Sequence, residues 1–173
     1  RGIETITYLV EGTVEHQDSL GNAGVIGPGD VQWMTAGSGI IHQEMPQPNP
    51  QGRMGGFQLW ANLPAAQKMM DPRYRDVLSS QIPTLTTDQG VTIRVISGEV
   101  EGVRGPVEDI VIEPRYLDMT LPADVEVVLP TPAGHTVFAY FIAGQAWLDA
   151  EHSLSAADTS LVLWGDGEQV RLT

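Results

Sequence analysis

The residues best suited to chemistry are His42 and Glu44, in the string Ile41-His42-Gln43-Glu44-Met45. On a β-strand, residues two apart point to the same side. An imidazole and a carboxylate would then converge on one point, flanked by apolar side chains. Donors of this kind suit a divalent transition metal, with imidazole favouring iron, nickel, copper or zinc over magnesium. Two donors hold a metal poorly, so further ligands must come from elsewhere. The same spacing also arises on an exposed edge strand that binds nothing, and the residues alone leave both readings open. A zinc deaminase uses His-x-Glu as well, but it needs two cysteine ligands downstream. This chain has no cysteine, so that reading fails.

Glu4 is the second candidate. It shares a strand face with Ile6, Tyr8 and Val10, and a lone carboxylate on an apolar face is costly unless it is paired. Either it looks into a polar cavity or that face lies on the surface. His16 stands beside turn residues Asp18–Gly21 and reads as a loop histidine satisfied by the turn. His135 has no carboxylate two residues away, and His152 beside Glu151 reads as solvated. Glu99, Glu101, Glu108 and Asp109 form an acidic stretch expected to be an exposed face. No phosphate-binding G-x-x-x-x-G-K-[ST] and no G-x-S-x-G nucleophile turn occurs.

The elements that must position these residues read as strands. Ile3–Val10 is rich in β-branched and aromatic residues, and Gly12 ends it. Thr13–His16, Val31–Thr35, Ile40–Met45 and Gly56–Asn62 follow, with tight turns at Gly27–Asp30 and Ala36–Gly39. Between Pro64 and Ile82 the pattern changes. Ala65–Met70 and Arg73–Ser79 are expected as short helical turns, with Asp71-Pro72 a helix start. Strand character returns at Val91–Ile96, Ile110–Ile112, Tyr116–Leu121, Val125–Leu129, Val137–Ile142, Ala146–Leu148, Ser160–Leu163 and Val170–Leu172. Short strands at such spacing predict an all-β sandwich or barrel. The expected division is a first domain over 1–85, including the connector, and a second over 86–173. Arg1 already reads as lying within a strand, so an upstream piece is expected to be missing, and the second half also reads as short.

Composition narrows the function classes. The net charge of −13 opposes nucleic-acid binding, which relies on lysine and arginine meeting phosphates. It equally opposes docking on anionic lipid, and no apolar run is long enough for a membrane span. The absence of cysteine excludes disulfide scaffolds, thiolate metal sites and thiol nucleophiles. A cytoplasmic address is the matching expectation.

Several long strings carry a family resemblance. Arg1–Gly12, Gly27–Glu44 (containing W-M-T-A-G-S-G-I-I-H-Q-E), Gln58–Leu63, Lys68–Tyr74 and Val95–Glu99 closely resemble the pirin family. The resemblance implies two tandem cupin (jelly-roll) β-barrels, a bicupin, with one metal, iron in most members, in the N-terminal barrel. Its ligand set is similar to three histidines and one glutamate. His42 and Glu44 match two of these. The other two histidines belong to an H-x-H just ahead of the string that begins at Arg1, which leaves the site half present in residues 1–173. Glu4 is then expected behind the ligands, orienting one of them. Arg75 departs from the glutamine common after P-x-Y.

By the same resemblance the activity would be that of a metal-dependent dioxygenase acting on quercetin-like flavonols. Glu44 would be ligand and proton acceptor, with Gln58 and Trp60 shaping the pocket. A non-enzymatic, metal- or redox-responsive partner of transcription factors or metabolic enzymes is the alternative, and a fragment with no working site is the third. A monomer is expected.

Overall fold

Seven strands build the part of the molecule that carries His42 and Glu44. They are β1 (Ile3–Glu11), β2 (Thr13–Asp18), β3 (Ala23–Ile26), β4 (Val31–Thr35), β5 (His42–Gln47), β6 (Gly55–Asn62) and β7 (Arg73–Val77). In this computed structural model, which describes residues 1–173, they form two antiparallel sheets in the orders β6-β1-β4-β7 and β3-β2-β5. Strand β1 is buried on both faces. Ile6 and Tyr8 pack on one side with Val31, Trp33 and Val77. Leu9, on the other side, packs with Val14 and Ile26. An interior position between β4 and β6 suits a strand with two apolar faces.

The turn at Gly27–Asp30 forms as its residues predict. Asp30 accepts from the Gly27 backbone N–H at 2.8 Å and from that of Ser79 at 2.6 Å. Gly29 has φ +83°, and a Cβ there would lie 2.7 Å from Ser79 Oγ, so both conformation and space demand glycine. Arg94 closes the same corner. It donates to Gly29 O at 3.1 Å, to Ser79 Oγ at 2.8 Å and to the Tyr8 hydroxyl at 2.8 Å, and Tyr8 donates to Asp118 at 2.6 Å.

Two expectations are corrected. The connector is not helical: only two three-residue 3-10 turns occur, Ala65–Gln67 and Ser79–Gln81. Arg73–Val77 between them is a strand paired in register with β4. The free edge of β4 and the burial of Val77 outweigh the helix-start signal of Asp71-Pro72. Ile110–Ile112 lies in a turn rather than a strand.

The chain forms two compact units, Arg1–Leu85 with Arg94–Asp118, and Thr86–Ile93 with Met119–Thr173. The second contains three antiparallel strand pairs. Val127–Pro130 pairs with Gln169–Leu172, Phe138–Tyr140 with Leu161–Leu163, and Gln145–Trp147 with Ser155–Ala157. The fold is all-β, as expected, but no sheet closes into a barrel: each keeps two edge strands. No helix is long and apolar enough to cross a membrane.

Ile6 is fully buried, so Ile6→Ala is expected to cost about 2–5 kcal/mol in a denaturant titration. A second expectation concerns alkali. Burial, with the nearby charge of Asp118, pushes the Tyr116 hydroxyl up to about 12. Burial and the hydrogen bond to Asp118 push Tyr8 higher still. The folded chain therefore keeps protons that the unfolded chain releases above the ordinary tyrosine value of 10.0. This contribution is complete below that pH and is lost as pH rises toward the folded values. Denaturant midpoints measured across that range should fall as phenolate absorbance rises.

Candidate functional site

Strand register places four polar side chains in one row across the first sheet. Gln58 stands opposite Thr7, Thr7 opposite Gln32, and Gln32 opposite Asp76. In the second sheet, His16 stands opposite both Glu44 and Gly24. Side chains directly opposite share a face, and hydrogen bonds show that the two rows look at each other. Gln58 Nε2 donates to Glu44 Oε2 at 2.9 Å and Oε1 at 3.2 Å, and Thr7 Oγ1 donates to Oε1 at 3.3 Å. At the other end of the row, His16 Nε2 lies 3.2 Å from Asp76 Oδ2.

The direction of these bonds is set by Trp60. Its indole N–H donates to Gln58 Oε1 at 3.0 Å. An indole can only donate, so the Gln58 carbonyl must face it and the amide N–H groups must face Glu44. Thr7 adds a further donor. Glu44 is thus presented as a hydrogen-bond acceptor at the edge of a cleft of about 360 Å³. Leu9, Val14, Pro46, Met54 and Phe57 supply its apolar wall, and Thr7, Glu44 and Gln58 its polar side. An apolar cleft with a few convergent polar groups is the usual form of a small-molecule site.

His42, Glu44, Gln58 and Trp60 are placed as the strand arguments expect, but not equally engaged. His42 is exposed and stands opposite Asp18 on the face shared with Glu44. Trp60, on edge strand β6, is 68% exposed, which leaves its ring open to a ligand. Glu4 lies elsewhere. It is wholly buried, accepting from Trp33 Nε1 at 3.1 Å and Thr35 Oγ1 at 2.7 Å. Strand alternation turns it away from Thr7 and therefore away from Glu44. Its carboxylate braces the core face of β1 and β4 rather than a metal ligand.

His16 is the residue the sequence reading misjudged. It is a strand residue, 5% exposed, held by Asp76 and by the Tyr74 hydroxyl, which lies 2.5 Å from Nδ1. The available signal was alternation: Val14 and His16 in β2, and Tyr74 and Asp76 in β7, each repeat at two-residue spacing. The turn after β2 is satisfied instead by Asp18, which accepts from the backbone N–H groups of Leu20 and Asn22.

The donor set does not by itself make a metal centre. No three His, Cys, Asp or Glu side chains are grouped so as to hold an ion. His42 and Glu44 offer one nitrogen and one carboxylate, and that carboxylate is already hydrogen-bonded to Thr7 and Gln58.

Glu4→Leu would leave the Trp33 and Thr35 donors buried without an acceptor. It should lower stability by about 1–3 kcal/mol while leaving the Gln58 and Trp60 side-chain N–H resonances in place. Movement of those resonances would contradict the separation of the two faces of β1.

Comparison with known proteins agrees with these strings and this fold. The pirin family model matches residues 1–61. A pirin-like protein of Caulobacter vibrioides is 43% identical over 173 residues, covering 99% of this chain and 61% of that relative. Human pirin is 40% identical over 174 residues, covering 98% of this chain and 59% of that protein. A crystal structure of quercetin 2,3-dioxygenase from Acinetobacter baumannii superposes with a TM-score of 0.85 at 32% identity, covering 99% of this chain and 60% of that one. The chain thus spans about three-fifths of the length of these relatives. It belongs to the pirin family, within the cupin-like all-β proteins.

Proposed function

We propose that the chain carries the ligand-binding half of a bicupin dioxygenase that acts on quercetin-like flavonols. The observation behind this reading is Glu44, presented as an acceptor beside an apolar cleft by Gln58, Thr7 and Trp60. A planar hydroxylated aromatic fits such a cleft. Its rings would lie against Leu9, Val14 and Met54, and one hydroxyl would donate to Glu44. Glu44 would take that hydroxyl's proton, leaving a phenolate-type oxygen on the ligand. Gln58 and Thr7 hold the carboxylate in place while it accepts.

The reading includes two tandem cupin domains, divided near residue 85, and a divalent metal, iron, as in the resemblance described above. His42 and Glu44 would be two of its ligands, and two further histidines would come from outside residues 1–173. A metal so completed would supply a Lewis acid for the ligand oxygen.

Oxygen consumption with quercetin, measured on iron- or nickel-loaded protein that includes the upstream histidines, tests the proposal. Turnover should fall by about 10²-fold or more in Glu44→Gln and be lost in His42→Ala. Absence of turnover in the unaltered protein, or equal turnover in the variants, would sink the reading for this substrate.

The net charge of −13 favours a second role, as a regulatory partner of a protein with a basic surface rather than of DNA. Capture of the same partner in one metal oxidation state and not the other would support it. A chain that remains a lone monomer in both states would count against it.

A further inference from the structure

We infer that His16, clamped between Asp76 and Tyr74, is a positioning residue for Glu44. The inference rests on the reading of Glu44 as the acceptor at the ligand site, and it concerns what keeps that carboxylate in place. His16 and Glu44 are directly opposed on neighbouring antiparallel strands, so their Cβ atoms stand about 4.5–5.5 Å apart on one face. Strand β5, which carries Glu44, is an edge strand paired to β2. The height of Glu44 above Thr7 and Gln58 is therefore set through β2. His16 fixes β2 by reaching across to β7 of the facing sheet.

The clamp engages both ring nitrogens of His16. Nε2 lies 3.2 Å from Asp76 Oδ2, and the Tyr74 hydroxyl lies 2.5 Å from Nδ1 and 3.0 Å from Nε2. Burial, the charge of and a hydrogen bond to Asp76, and the charges of Asp18 and Glu44 all raise the Tyr74 hydroxyl well above the ordinary phenol range. The rings of His16 and Tyr74 also pack at 5.1 Å.

One further feature shows that the clamp is shaped around His16. Gly24 stands on its other flank, and a Cβ there would come within 2.7 Å of His16 Nε2 and 3.0 Å of Asp76 Oδ2. Contacts that short are not tolerated, so any side chain at 24 would pry the pair apart. Gln32, 2% exposed and between Thr7 and Asp76 in the polar row, leaves its Nε2 without a partner. A buried polar group left unsatisfied costs stability that an apolar residue would not.

The test reads Glu44 through its partners. In nitrogen-15 spectra of the whole protein, the chemical shifts of the Gln58 side-chain amide and the Trp60 indole N–H report their chain of bonds to Glu44. His16→Leu and Tyr74→Phe should both move the two signals toward the values of unbonded side chains, and His16→Gln, which can still bond to Asp76, should restore most of the native shifts. Arg94→Ala, which loosens the Gly29 and Ser79 corner, should lower stability yet leave both signals unchanged. If turnover exists, His16→Leu should lower kcat by up to about 10²-fold with KM little altered. Unmoved Gln58 and Trp60 signals in folded His16→Leu or Tyr74→Phe would overturn the inference. So would equal movement in Arg94→Ala, because the effect would then be general loosening. If His16→Leu does not fold, Tyr74→Phe decides. The chemical-shift measurement holds even if no flavonol is turned over, so failure of the enzyme reading stays separate from failure of this one.

Discussion

Burial of β1 on both faces is the constraint from which the rest of the first unit follows. Alternation along one strand sends Glu4, Ile6 and Tyr8 to one side and Thr5, Thr7 and Leu9 to the other. A slip of one residue would exchange these sets and place Ile6 or Tyr8 where Thr7 now meets Glu44. The register with β4 and β6 prevents this, because Ile6 pairs with Trp33 and Leu59 while Thr7 pairs with Gln32 and Gln58. Apolar packing on one face thus holds a polar row in place on the other.

That row works because each group has its donors and acceptors assigned. Trp60 orients Gln58, Gln58 and Thr7 face Glu44, and Asp76 and Tyr74 together hold His16. Inside a protein such chains strengthen one another, and the same low polarity makes any unpaired member costly. Gln32 is the one buried side chain whose nitrogen has no partner. The first unit therefore has two different interiors. One is apolar, with Glu4 satisfied by Trp33 and Thr35. The other is graded from apolar at Leu9, Val14 and Ile26 to polar at the level of Glu44 and His16.

Legibility in the sequence followed the range of the interactions involved. Val31–Thr35 and Gly56–Asn62 were readable because large apolar and aromatic residues alternate there and glycine marks the boundaries. The turn at Gly27–Asp30 was readable because Pro28, Gly29 and Asp30 satisfy it locally. Arg73–Val77 was not readable. Its pattern is short, a helix-start signal precedes it, and it becomes a strand only because β4 offers an open edge. His16 was misjudged for a related reason: its partners Tyr74 and Asp76 lie about sixty residues away.

The sequence by itself determined the all-β class, the family, the His42/Glu44 pair on one strand and the Gln58/Trp60 pair on another. Each depends on residue type and a spacing of two, which any extended strand preserves. Tertiary structure alone decided that Glu44 meets Gln58 and Thr7, that Glu4 turns away from them, and that His16 joins the same interior. Those outcomes depend on which sheet faces which and on the register between distant strands. No local pattern encodes either one.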